Sequence, residues 1–137
     1  MLNITNISKT ITDTFKEVIE SQATKNNIED SRNVQIRMFI RNKDVSEANF
    51  MTLVNYKKVA DVSLSGLLGA FKYMTFNAFN IDKKIVNLLV KNIEKHNIEN
   101  CANFSILVIL NKHKNIEMRA YDKGDPLEEI DIDSLID

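Results

Sequence analysis

The chain has 137 residues, 44% of them hydrophobic and 27% charged, with a net charge of −1, the size and balance of one globular domain able to bury a core. Its longest unbroken apolar run, Ile106–Leu110, is too short to span a membrane, and the N-terminus lacks a signal-peptide pattern. A single cysteine, Cys101, excludes an internal disulfide, so a cytoplasmic protein with no membrane partner is expected.

Ile4, Ile7, Ile11, Phe15, Val18 and Ile19 recur at three-to-four spacing, which predicts a helix over about residues 8–25. "KNNIED" ends it with poor helix formers. From Val34 the period changes to two. Val34, Ile36, Met38 and Ile40 point one way, and Gln35, Arg37, Phe39 and Arg41 the other, as a half-buried strand requires. Phe50–Lys58 reads as a second strand, joined to the first by a longish loop in which Asp44–Ala48 has room for a helical turn.

Residues 63–79 place Leu64, Leu67, Leu68, Phe71 and Met74 on one helical stripe. Over about residues 82–95, Ile85, Leu88, Leu89 and Ile93 face inward and a row of lysines faces water. Phe104–Lys112 and Ile116–Tyr121 then form a hairpin around "NKHKN". The order α-β-β-α-α-β-β predicts an α+β domain: a four-stranded antiparallel sheet with helices packed on one face. Three glycines and one proline leave no room for a linker, and no repeat is visible at a period of about twenty residues or more.

Enzyme signatures are absent, and no catalytic residue, metal ligand or cofactor is expected. His96 and His113 have no ligand-like spacing to each other or to Cys101. Ser63–Lys72 contains small residues but lacks the spacing that wraps a nucleotide phosphate.

The informative surface is the outer face of the sheet. If Val34, Ile36, Met38 and Ile40 pack on the helices, then Arg37, Phe39 and Arg41 stand together on the opposite side. The last strand adds Arg119 and Tyr121. Tyr56 and Lys58 join them if the second strand has the matching parity, which its sequence leaves open. Cations neutralise phosphate and rings stack on unpaired bases, so Arg37, Phe39, Arg41, Tyr56, Lys58, Arg119 and Tyr121 form a platform for single-stranded nucleic acid. Alternatively, Phe39 and Tyr121 cover a dimer interface or lie beneath the N-terminal helix.

The charge is segregated. Residues 1–121 hold 17 basic and 12 acidic residues, whereas residues 122–137 hold one lysine and seven acids. Asp125, Pro126 and Glu128 suit the cap, first and third positions of a short helix, while the continuing acids favour a solvated tail. The expected division is an α+β domain over 1–124 and an acidic tail or short helix over 125–137. That ending resembles, over residues 125–137 alone, the acidic tails of single-stranded-DNA-binding proteins from bacteria and phages. In that family the tail recruits partner proteins and competes with DNA for the basic groove. The resemblance implies a partner-binding role for Leu127, Glu128, Glu129, Ile130, Asp131, Ile132, Asp133 and Leu135. This chain lacks the family's terminal proline–phenylalanine, and its element order is not that of the family's five-stranded barrel.

Seventeen asparagines with abundant Ile and Lys fit an AT-rich phage or viral genome, which would place the protein in the host cytoplasm. The expectation is a non-enzymatic accessory protein, homodimeric, that binds single-stranded nucleic acid through its sheet face, with a tail that masks the site or recruits a protein. The alternative is a protein-interaction module such as a phage-encoded inhibitor, adaptor or virion-assembly subunit.

Overall fold

The structure, a computed structural model, describes residues 4–44, 48–62 and 81–135. Along them run helix α1 (Ile4–Lys25), strands β1 (Val34–Phe39), β2 (Asn49–Val54) and β3 (Lys57–Val62), helix α2 (Ile81–Lys95), and strands β4 (Phe104–Leu110), β5 (Ile116–Asp122) and β6 (Asp125–Ile130). Short 3-10 turns precede β1 and β4, and another, Ile132–Leu135, follows β6. The helix expected over residues 63–79 lies outside the described residues. None of the described helices is long and apolar enough to cross a membrane.

The class is α+β with an antiparallel sheet, as the periodicities predict. The sheet has six strands instead of four, however, in the order β3-β2-β1-β4-β5-β6. One extra strand comes from Phe50–Lys58, which breaks at Asn55–Tyr56, where φ is 51° and 67°, and folds back so that Val54 faces Lys57. Two residues of positive φ match the twist of hairpin strands, and the usual sequence there is Asn-Gly; Tyr56 disguises the turn.

The other extra strand is the C-terminal segment. Asp125–Ile130 pairs along β5 through the Lys123–Gly124 turn, in place of the expected tail or helix. Pro126, which lacks an N–H, is tolerated because β6 is an edge strand. Ile130 and Leu135 are buried in the main core and Ile132 packs against it. Residues 125–130 are thus part of the same sheet as the strands before them.

The structure contains an internal repeat that the sequence does not display. Each half of the described chain is the same α-β-β-β unit. Both helices end in one motif: Asn27 and Asn97 have φ of 58° and 53°. The N–H groups of Ile28 and Ile98 reach back to the carbonyls of Ala23 and Ile93 at 2.8 and 3.0 Å, which caps the last turn. Next, Asp30 and Asn100 accept from the amides of Arg32 and Ala102, each at 3.0 Å, and so start the two 3-10 turns. The register shifts after Thr52 and after Ala120 are equivalent. So are the turns at Asn55–Tyr56 and Lys123–Gly124. The letters match mainly in "KNNIE" and "KHNIE", where the caps demand particular chemistry. Core positions exchange one apolar residue for another (Ala23 for Ile93, Val34 for Phe104, Met38 for Val108), which preserves burial and erases identity.

The two units join along β1 and β4, where Ile36 faces Val108, Arg37 faces Leu107 and Met38 faces Ile106. Residue 107 is the repeat equivalent of residue 37, so a pseudo-two-fold axis passes between Arg37 and Leu107. On one side of the sheet Val34, Ile36, Met38 and Ile40 alternate into a core continued by Phe104, Ile106, Val108 and Leu110. Ile11, Phe15 and Ile19 of α1, with Ile85 and Leu89 of α2, belong to the same cluster. Both described helices thus cover one face, and Arg37, Phe39 and their outward neighbours lie on the other.

Truncation of Leu135 tests the docking of the C-terminus. Leu135→Ala is expected to lower stability by about 2–4 kcal/mol in a urea titration, whereas a free tail would show no change. A second contact ties β6 to α2: Glu128 accepts from Lys95 Nζ at 3.0 Å and meets His96 Nε2 at 3.1 Å. These bonds, that of Lys95 first, hold the Glu128 carboxyl below its ordinary value of 4.5. A carboxyl depressed in the folded state supports stability above its unfolded pKa and loses that contribution as pH falls through the folded value. From about pH 5 to about pH 3 the native chain should therefore lose more stability than Glu128→Gln, compared by denaturation midpoints.

Candidate nucleic-acid interface

The parity of β1 sets the site. With Ile36 and Met38 fully buried against the helices, Arg37 and Phe39 project from the other face. The Arg37 guanidinium carbon lies 4.4 Å from the centroid of the Phe39 ring. Its Nη2 donates to the Ala102 carbonyl at 2.9 Å, and Nη1 lies 3.8 Å from Met51 Sδ. Burial draws its pKa below the ordinary arginine value.

Strand β2 resolves the open parity: Phe50 and Thr52 face the core side, with Met51 and Leu53 on the outer side opposite Arg37 and Gln35. Because the chain turns at Asn55–Tyr56, Lys58 comes to lie opposite Leu53 and shares the outer face. Tyr56 is 67% exposed at the tip of the hairpin. The buried side chain of Gln35 supports that tip, its Oε1 accepting from the Tyr56 amide at 3.3 Å.

On the other half, Arg119 and Tyr121 face outward opposite Leu107 and Ser105. Glu117 accepts from Arg119 Nη2 at 2.8 Å, which offsets that charge. Arg41 lies past the last residue of β1 and is exposed, beyond the paired register that places the others. Six of the seven expected residues thus share the outer face or its rim.

A cleft of about 740 Å³ runs over this face. Arg37, Lys58 and Lys123 bring three cations to it, Tyr56 and Tyr121 bring two rings, and Leu53 and Leu107 form part of its apolar floor. Among the described residues that line it there is no carboxylate. Phe39 and Arg119 flank the cleft without lining it. Lys123 and Leu107 are members that sequence reasoning missed. Lys123 was masked by its acidic neighbours, and Leu107 sits in "ILVIL", where an apolar residue at every position gives no signal of which side it faces.

The residues expected to bind a partner through a tail are dispersed. Ile130 and Leu135 are in the core, Ile132 packs against it, and Glu128 is held by Lys95 and His96. Glu129 lies opposite Arg119 on β5. Asp131 caps the final 3-10 turn, accepting from the Asp133 amide at 3.0 Å. Leu127 remains 38% exposed on the edge strand. A second groove of about 430 Å³ lies between α2 and β6, but there Lys84, Lys91 and Lys95 face Glu128, Glu129 and Asp131, so its charges answer one another.

Comparison with family models, with curated proteins and with solved structures finds no match to this chain.

Tyr56 offers a separable test. It holds φ at +67°, while the equivalent turn position in the second half is Gly124 at +86°. A tyrosine in the left-handed region is strained by about 1 kcal/mol relative to glycine. Tyr56→Gly should therefore raise stability by roughly that amount in chemical denaturation while removing the ring from the cleft. A fall in stability would show that the ring is held by packing instead.

Proposed function

We propose that the chain binds single-stranded nucleic acid across the outer face of its sheet, without sequence preference. The observation that carries this reading is the composition of the cleft: three cations and two tyrosines over an apolar floor, with no carboxylate among the described lining residues. Phosphate charge and the faces of bases are common to every sequence. A surface that offers cations and rings therefore binds strands generally. Each stacked base contributes about 1–3 kcal/mol, which an exposed ring such as Tyr56 can supply without rearrangement of the fold.

The strain at Tyr56 supports the same reading. The second half shows that glycine satisfies this turn, so the aromatic ring is retained at a cost in stability and projects where a base would stack. The C-terminal segment has no masking role in this account, since its aliphatic residues are used by the core.

Fluorescence anisotropy with labelled DNA and RNA oligonucleotides tests the proposal. With three cations engaged, affinity should fall about 20-fold between 50 and 200 mM salt. A mixed sequence and a homopolymer should bind alike. The double variant Lys58→Glu/Lys123→Glu should lose binding while its melting temperature is retained. Absence of binding at low salt would overturn the proposal in favour of a protein-interaction module. Unchanged binding by the double variant would move the site off this cleft.

A further inference from the structure

We infer that Arg37 is the phosphate anchor of this interface, and that a strand crosses the sheet over the pseudo-two-fold axis with a footprint of about four nucleotides. The inference rests on the single-strand reading above and goes beyond it by fixing where the backbone sits and how much of it is held.

Position is the first argument. Arg37 faces its own repeat equivalent, Leu107, at the joint of the two halves, so it lies at the middle of the outer face. The cleft reaches from Lys58 on β3 to Lys123 beyond β5 and crosses five strands. At the usual strand spacing that is about 19 Å, with one cation at each end and Arg37 between them.

Charge is the second. Arg32 has Asp30 at 2.7 Å and Arg119 has Glu117 at 2.8 Å. Arg37 is half-buried, and no carboxylate among the described residues pairs with it or offsets its charge. A cation on an apolar floor without a counter-ion is costly to bury, and an incoming anion relieves that cost. The guanidinium is also oriented in advance. The Ala102 carbonyl and the Phe39 ring fix its plane, and of its five N–H donors the contacts to Ala102 and Met51 use two. The remaining donors suit the oxygens of a phosphate, which a guanidinium fork matches better than an ammonium does.

The repeat supplies the third. The second half places leucine at the equivalent position and keeps the same strand pairing. The fold therefore does not require arginine here. Arg37→Leu copies a residue the architecture already accommodates and is expected to fold.

The test is a length series of labelled oligothymidylates, of two, four, eight and sixteen nucleotides, titrated into the full chain. Affinity should rise to about four nucleotides and then grow only by the number of equivalent placements. Arg37→Leu should weaken the four-nucleotide ligand at least tenfold and flatten the log–log salt slope by about 0.7, with the melting temperature unchanged. Arg37→Lys should restore the salt slope but only part of the affinity. If Arg37→Leu binds as tightly as the native chain, or loses affinity with no change of slope, the anchor is overturned and the broader proposal survives. The same holds if affinity climbs steadily up to sixteen nucleotides. Displacement of the four-nucleotide ligand by thymidine monophosphate at matching affinity would overturn the strand in favour of a mononucleotide site. If no length binds at all, the broader proposal fails with it.

Discussion

The antiparallel pairing of β1 with β4 is the constraint on which the rest of the structure depends. Three residue pairs, centred on Arg37 and Leu107, join two copies of an α-β-β-β unit into one six-stranded sheet. Neither unit alone has more than three strands and one described helix, a small apolar surface for an independent core. Joined, their inward residues make a single cluster from Ile11 to Leu135. Because side chains alternate along a strand, the register that sends Ile36, Met38, Ile106 and Val108 into that cluster also fixes Arg37 and Leu107 on the opposite face. Core and cleft are two consequences of one pairing.

The pseudo-symmetry also separates what the fold needs from what it does not. Positions that match between the halves are structural: the asparagines at the helix ends, the Asp30 and Asn100 caps, the register shifts in both outer hairpins and the aliphatic core. Core positions exchange one apolar residue for another, whereas on the outer face the exchange changes chemistry. Arg37 stands against Leu107, Tyr56 against Gly124 and Leu53 against Tyr121. Divergence there, on a scaffold that tolerates the simpler residue, concentrates cations and rings in a cleft with no carboxylate among its described lining residues. The two ends of the cleft are therefore unlike, and a bound strand would meet them in a defined direction.

Much of this was legible in the residues, for reasons that can be named. The alternation of Val34, Ile36, Met38 and Ile40 is clean, so the outward placement of Arg37 and Phe39 followed from period two alone. The helices ending at Lys25 and Lys95 were legible from apolar spacing and from the residues that stop them. The fourth and fifth strands were placed nearly to their ends. What stayed hidden was chemistry that departs from the usual signal. A hairpin turn with tyrosine in the glycine position made two strands read as one. Pro126 and a run of acids concealed an edge strand, although proline and charge are common devices for keeping such an edge from pairing further. The repeat was invisible because a core records only the apolar pattern, and one apolar residue serves there nearly as well as another. Strand β1 ends at Phe39, two residues before the alternation read from the sequence stops, so Arg41 lies outside the paired register.

The most direct test of the account is a map of backbone amide shifts in the isotope-labelled chain as an oligothymidylate is added. The perturbed amides are expected on the outer face and its rim, around Arg37, Tyr56, Ser105, Leu107, Tyr121 and Lys123, while the lysine-bearing side of α2, at Lys84, Lys91 and Lys95, stays unmoved. Shifts concentrated on α2, or none at any concentration of oligonucleotide, would contradict it.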